Sequence, residues 1–344
     1  MLRACCVTHL NEMRDVKTHQ HARISVAPMM DWTDRHCRRF HRALSRQTLL
    51  YTEMIVAAAL VRGRAEYLLD HDVTEYPLAV QLGGSDPGEL AEATRMAVER
   101  GYGEVNLNVG CPSDRVRSGC FGAVLMREPA LVASCLRAMI DAAGGVPVTM
   151  KCRLGVDDQD PDHVLPDLLQ RMADAGVASV IVHARKAWLQ GLSPKENREV
   201  PPLEPERVYA AKQRFPQLNV SINGGIGSLD EALGHLRHVD GAMIGRAAYH
   251  DPAGILMRAD SRIHGQPDRC ADRIAAARRM MPYLRTHVAA GGRPGQVTRH
   301  MLGLFHGQPG ARQWRRALSD GAARPGAGAE ILEDALDQVA AIAA

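Results

Sequence analysis

Aromatic residues are scarce in this chain, 4% of 344 positions, which argues against a surface built from stacking platforms. The eight cysteines include no Cys-x-x-Cys pair; Cys5 and Cys6 adjoin and the rest are dispersed. That usage fits neither a zinc site nor a disulfide framework, so reduced thiols, a cytoplasmic protein and no metal are expected. No apolar run approaches the ~18 residues of a membrane span. The polar opening stretch also lacks the apolar core of a secretory leader. Residues 1–22 are expected to be a poorly ordered leader, or to include an upstream start whose true initiator is Met13. No Gly-x-Gly-x-x-Gly follows the first strand-like run, which disfavours a dinucleotide-binding sheet. A His-Cys-Cys deaminase pattern is missing too, which excludes a zinc base-modifying enzyme.

Lysine and glutamate are both absent between Arg258 and Arg324, a stretch with thirteen arginines and four aspartates. The whole chain carries only +3, so this stretch holds nine net positive charges and the remainder six negative. A solvated helical surface ordinarily mixes Lys, Glu and Arg. An arginine-only excess favours phosphate recognition and a polyanion partner.

What is present is regular alternation. With 46% hydrophobic residues the chain can bury a large core. Short β-branched runs at Ile24–Ala27, Leu49–Glu53, Leu78–Leu82, Val105–Val109, Val146–Lys151, Ser179–His183, Asn219–Ile222 and Gly241–Ile244 read as strands. Amphipathic stretches such as Pro87–Arg100, Leu131–Ala143, Pro166–Ala175 and Pro205–Phe215 lie between them, with Gly101, Gly144, Gly176 and Gly234 as stops. Eight such repeats predict an α/β fold, a (β/α)8 TIM barrel over residues 23–257. Beyond it the strand runs cease, and residues 258–344 are expected to form an all-helical, helix-bundle domain.

A barrel keeps its active site at the C-terminal ends of its strands. Those ends present Pro28-Met29-Met30, Glu53, Gln81, Asn108 to Cys111, Lys151 with Arg153, His183 with Arg185, Asn223-Gly224-Gly225 and Gly245-Arg246. Glycine backbone after the seventh and eighth strands lets amide groups approach a phosphate, and Arg246 adds charge. Lys151 and Gln81 suit the polar edge of a flavin ring, with Pro28, Met29 and Met30 against its flat face. FMN is favoured over pyridoxal phosphate, because Lys151 has no acidic partner for a pyridine nitrogen. Glu53 either orients a loop or is simply solvated.

The most informative stretch is Asn106-Leu107-Asn108-Val109-Gly110-Cys111-Pro112. Its apolar alternation ends in a thiol that Gly110 and Pro112 hold at a strand tip. With Gly119 and Gly122 it closely resembles the signature of the tRNA-dihydrouridine synthases. Further matches are Ala27 to Arg35, Gln81-Leu82-Gly83-Gly84, Lys151-Cys152-Arg153 and Ser221 to Gly225. His183 to Trp188, Gly191 to Arg198 and Pro309 to Arg316 resemble the subfamily acting on positions 20 and 20a. The resemblance implies an FMN barrel, NADPH as reductant, a helical tRNA-binding domain and 5,6-dihydrouridine as product. Lys195, Arg198, Arg312 and Arg315 match its RNA-binding signature. Arg312 and Arg315, three residues apart, would share a helix face.

The implied chemistry accounts for the residue types. Hydride addition at uracil C6 leaves an enolate that must be protonated at C5. A thiol, with a reference pKa of about 8.5, is mostly protonated near neutrality and can act as that acid. Cys111 is assigned this role. Asn108 and Arg153 are candidates to hold the uracil carbonyls, His183 to be shared between cofactor and substrate, and Arg185 to assist. A monomer is expected. Two rivals stand: a flavin barrel acting on a free small molecule, of the dihydroorotate-dehydrogenase or ene-reductase type, and a non-catalytic RNA-binding barrel.

Overall fold

Eight parallel strands close on themselves in chain order in the computed structural model, which describes residues 22–113 and 120–343. They are β1 (Ile24–Val26), β2 (Leu49–Val56), β3 (Leu78–Gly83), β4 (Glu104–Val109), β5 (Val148–Arg153), β6 (Ser179–His183), β7 (Asn219–Asn223) and β8 (Gly241–Ile244). β1 against β8 completes the barrel, with Ile24, Ser25 and Val26 in register with Ala242, Met243 and Ile244. The expected TIM barrel is therefore observed. Cys5, Cys6, Met13, Gly119 and all of the expected leader except Ala22 lie outside the described residues.

The two faces of each strand have different surroundings because side chains alternate with period two. Val105, Leu107 and Val109 of β4 and Val180 and Val182 of β6 join the main core with helix residues such as Leu90, Leu136 and Leu169. A separate small cluster of Ala27, Leu49, Tyr51, Ala79, Ile181 and Met243 fills part of the barrel interior. Glu104, Asn106 and Asn108 alternate with the outward valines and leucine of β4. They take the inner face and form a polar seam there.

Several boundaries differ from expectation for identifiable reasons. β2 continues to Val56 through a register shift between Tyr51 and Met54, so Glu53 lies within the strand. β5 begins at Val148 and ends at Arg153, two residues later at each end than expected. The helix expected from Pro166 begins at Pro161, because Asp160 caps it by accepting from Asp162 N–H. Gly101, Gly144 and Gly176 adopt positive φ just past helix ends, whereas Gly234 lies inside the helix Leu229–His235.

After β8 the described chain holds no further strand. The main helices are Arg273–Ala289, Ala311–Ala322 and Glu330–Ala343, with shorter ones at Ala259–His264 and Pro294–Thr298. Trp314 is fully buried among them, donating its indole N–H to the Met301 carbonyl at 2.8 Å with Phe305 4.8 Å away ring to ring. Two aspartates fasten this segment to the barrel helix Arg35–Leu44. At one end Asp260 accepts from the Ser45 hydroxyl (2.6 Å) and the N–H groups of Arg46 and Gln47 (2.7 and 3.0 Å). At the other, Asp34 caps the helix through His36 and Cys37 N–H and pairs with Arg299 at 2.5 Å and His300 at 3.1 Å. Burial alone would raise the Asp34 pKa. His300, the Cys37 N–H and Arg299 together outweigh it and hold the carboxyl well below the usual carboxylate range.

Candidate active site

Cys111 sits immediately past β4, half-buried, its Sγ 3.5 Å from the Ser113 hydroxyl. The tight loop that carries it is held from within. Asn108 Oδ1 accepts from both Gly110 and Cys111 N–H at 3.0 Å, satisfying two donors that the strand ladder leaves unpaired. The Cys111 carbonyl accepts from Ala123 N–H at 2.9 Å. Asn108 is tied in turn to Gln81, whose Oε1 receives the Asn108 Nδ2 at 2.7 Å, while Gln81 Nε2 reaches Asn106 at 2.8 Å. Both amides, proposed from sequence as free hands for a ring or a base, are thus already engaged with one another.

Around Cys111 gathers a set of cations. Lys151, Arg153 and Arg198 all lie near enough to interact electrostatically with the thiol sulfur. Burial first, then repulsion from Arg153, pushes the Lys151 ammonium down to about 8. His183 is driven well below its ordinary value by burial and then by Arg153, Lys151, Arg185 and Arg198, so its imidazole is neutral near pH 7. Among the described residues its Nε2 is buried without a hydrogen-bond partner, as is Arg185 Nε. Orphaned buried donors and acceptors cost roughly 1–3 kcal/mol each, and here they converge at the mouth. Arg246 is balanced by Glu199 at 2.6 Å in an exposed pair that a ligand can replace. The ensemble suits an anionic group that also offers hydrogen-bonding atoms.

Arg153 is buried, and three of its donors are committed to main-chain carbonyls: Gly110 (3.0 Å), Lys186 (3.0 Å) and Asn197 (2.8 Å). It ties the cysteine loop to the loop after β6, an arrangement that spacing did not reveal. Asn197, fully buried, completes the tie by accepting from Trp188 N–H at 2.7 Å and donating to the Trp188 carbonyl at 2.9 Å. Lys195 and Arg198 stand exposed on this braced loop.

The remaining predicted residues divide by position. Asn223 donates to the Met243 carbonyl at 2.8 Å, bracing β7 on β8 below the two glycines. Gly224 (φ 107°) has no room for a side chain: a Cβ would lie 2.8 Å from the His183 ring. At Gly225 it would lie 2.5 Å from Leu203. Replacing Gly224 therefore collides with the protein itself, before any ligand is considered, whereas at Gly225 (φ 74°) the exposed Leu203 methyl can swing aside and the left-handed backbone is the constraint. At Gly245 the nearest atoms would be ordinary contacts, at 3.9 and 4.0 Å. The Pro28-Met29-Met30 turn is closed by Trp32 and Thr33 N–H on the Met29 carbonyl, leaving Met30 53% exposed. Glu53 accepts from Asp31 N–H and so orients this turn. Arg312 and Arg315 are both exposed on the helix Ala311–Ala322, away from the buried Trp314.

Tyr51, Glu104, Asn106, Thr149 and Asn197 complete the site; Asn106 and Asn197 lay inside motif stretches already marked, whereas the other three carried no assignment from sequence. The first four belong to the interior seam. A signal existed for two of them: Glu104-x-Asn106-x-Asn108 repeats polar residues with the strand period. Among the described residues, no cluster of three or more His, Cys, Asp or Glu could hold a metal ion. No helix among them is long and apolar enough to cross a membrane.

A family model described as dihydrouridine synthase matches residues 25–340. The tRNA-dihydrouridine(20/20a) synthase of Escherichia coli K12 is 55% identical over 323 residues, covering 94% of this chain and 93% of that protein. The proteins of the same name from Xanthomonas campestris (55%, covering 91% and 92%) and Vibrio parahaemolyticus (52%, covering 94% and 98%) are similarly related. Among solved structures, an old yellow enzyme homologue from Zymomonas mobilis superposes with a TM-score of 0.50 at 11% identity. It covers 72% of this chain and 89% of that one, a likeness of fold.

The depressed Lys151 pKa gives a pH test of the cation cluster. A ligand that prefers the ammonium form binds less tightly once the free site loses that proton. Flavin affinity, followed by fluorescence, should fall as pH rises through about 8, and Lys151→Met should be weaker throughout and lose that dependence. A pH profile identical in the variant would show that Lys151 does not face the ligand.

Proposed function

The chain belongs to the dihydrouridine synthase family, and from that premise we propose that it reduces uridine to 5,6-dihydrouridine at positions 20 and 20a in the D-loop of tRNA. NADPH is the reductant and FMN the bound cofactor. The observation that carries this reading is the Cys111 loop: a half-buried thiol on a tip clamped by Asn108, within electrostatic reach of Lys151, Arg153 and Arg198. The conjugated C5=C6 bond of uracil needs a proton donor at this kind of position.

Pro28, Met29 and Met30 would flank the flavin ring, with Gln81, Lys151 and His183 along its polar edge. Asn223, Gly224, Gly225, Gly245 and Arg246 would form the end that receives the phosphate. FMN held by these residues would supply hydride chemistry at C6. Cys111 Sγ gives the proton to C5, and the thiolate left behind is offset by the positive charges of Lys151, Arg153 and Arg198. Before that transfer the Cys111 thiol donates to the Ser113 hydroxyl oxygen, 3.5 Å from Sγ. His183, kept neutral, can donate to or accept from a carbonyl or imide group without adding charge. Arg153 keeps the cysteine loop and the loop after β6 in one register, and Arg185 assists from the same side. Asn108 positions Cys111 and contacts the base with what capacity remains.

The target uridine must leave the tRNA elbow to reach this depth. Selectivity then depends on how the whole tRNA docks, since uracil is the same everywhere. We assign residues 23–257 as the catalytic unit and 258–344 as the docking unit. Lys195 with Arg198 and Arg312 with Arg315 grip phosphates on either side of the target. The arginine excess between Arg258 and Arg324 favours this over turnover of a free pyrimidine. The enzyme acts as a cytoplasmic monomer.

Cys111→Ala should still bind FMN and accept electrons from NADPH, while dihydrouridine formation drops by ~10²-fold or more, the scale of losing a general acid. Wild-type RNA reduction by this variant would remove Cys111 from the mechanism. Neutralising Arg312 and Arg315 together should weaken tRNA binding and reduce its salt slope by roughly two phosphate contacts, with flavin content unchanged. Full affinity in the double variant would contradict the docking assignment.

A further inference from the structure

Inside the barrel one hydrogen-bonded chain runs from floor to mouth, and its direction is fixed at both ends. At the mouth the Gly110 and Cys111 N–H groups can only donate, so Asn108 turns its oxygen to them at 3.0 Å. Asn108 Nδ2 then donates to Gln81 Oε1 (2.7 Å), and Gln81 Nε2 to Asn106 Oδ1 (2.8 Å). Asn106 Nδ2 donates to the Thr149 hydroxyl (2.8 Å), which donates to Glu104 Oε1 at 2.6 Å. At the floor the Tyr51 hydroxyl donates to the same Glu104 oxygen. Five successive links point the same way, toward a carboxyl group with no ion-pair partner among the described residues.

An amide side chain has two nearly isosteric orientations that exchange donor and acceptor ends. In a buried chain none can turn alone, because a turned amide sets donor against donor and leaves buried groups unsatisfied. Tyr51, Glu104, Asn106 and Thr149 are all buried, so water does not relieve such a mismatch. Both hydroxyl bonds land on Glu104 Oε1. A proton on the other oxygen therefore leaves the direction of the chain intact, even though burial raises the carboxyl pKa.

We infer that Glu104 and Thr149 are positioning residues: from the barrel floor they set the orientation of Asn106, Gln81 and Asn108 and so clamp the Cys111 loop. The inference deepens the proposed reaction and rests on it only for the role of the thiol. Thr149 is the vulnerable link, since one hydroxyl both receives the chain and passes it on. Tyr51 donates to Glu104 from outside the path to Cys111, so it is the internal control.

The test reads Cys111 directly. The holoenzyme is treated with iodoacetamide and the modified peptides are quantified by mass spectrometry, with exposed Cys120 as reference. Thr149→Val should change the Cys111 to Cys120 alkylation ratio by ~5-fold or more, the scale of about 1 kcal/mol, and lower dihydrouridine formation comparably. Thr149→Ser should restore both, and Tyr51→Phe should leave the ratio at its wild-type value. If Thr149→Val is not recovered folded, Thr149→Ala, which removes the same hydroxyl, carries the same expectation. An unchanged ratio overturns the inference, as does an equal change in Tyr51→Phe. Alkylation does not depend on the RNA reaction. A changed ratio with normal RNA reduction would support the clamp while refuting the role of Cys111 as the acid.

Discussion

A carboxyl group sealed inside a barrel has to be surrounded by donors, and in this protein that requirement reaches the active site. Glu104 is buried on the inner face of β4, out of reach of bulk water. Tyr51 and Thr149 supply its hydrogen bonds. The polarity so imposed passes through three amides to the turn that carries Cys111. The β4 sequence makes this possible by placing Glu104, Asn106 and Asn108 inward while Val105, Leu107 and Val109 pack outward against helices. One strand thus serves the core on one side and the chemistry on the other.

The second constraint is electrostatic. Lys151, Arg153, Arg185, Arg198 and Arg246 crowd the mouth, and Glu199 is the carboxylate paired there, with Arg246. Such repulsion is tolerated at sites that wait for an anion. It also keeps His183 neutral, which suits a group that must hydrogen-bond without attracting a second negative charge. Arg153 is the most tightly held of the set, with three of its donors on the carbonyls of Gly110, Lys186 and Asn197. Its charge is offered to the site while its geometry organises two loops.

How much of this could be read from sequence depended on whether the cause was local. Strand and helix alternation is a local pattern, and the barrel followed from it. The Gly-Cys-Pro tip was equally legible, because each residue type restricts its own backbone. Partnerships between distant residues were not: nothing near Arg153 announces that it binds three carbonyls, and the Gly191 to Arg198 stretch does not announce that Asn197 is its buried brace. The β2 extension past Glu53 depends on a register shift against β3, which only pairing reveals. Gly224 and Gly225 were noted for phosphate access, yet the structure gives a nearer reason for them in the His183 ring and the left-handed backbone. The polar period of β4 was visible in the letters, but its meaning required knowing which face closes inward.

The most direct test of the account supplies the purified protein with FMN, NADPH and unmodified tRNA, then maps dihydrouridine by position. The account predicts dihydrouridine at positions 20 and 20a, formation that requires NADPH, and negligible reduction of free uridine. Absence of dihydrouridine from the RNA, or equally rapid reduction of the free nucleoside, would contradict it.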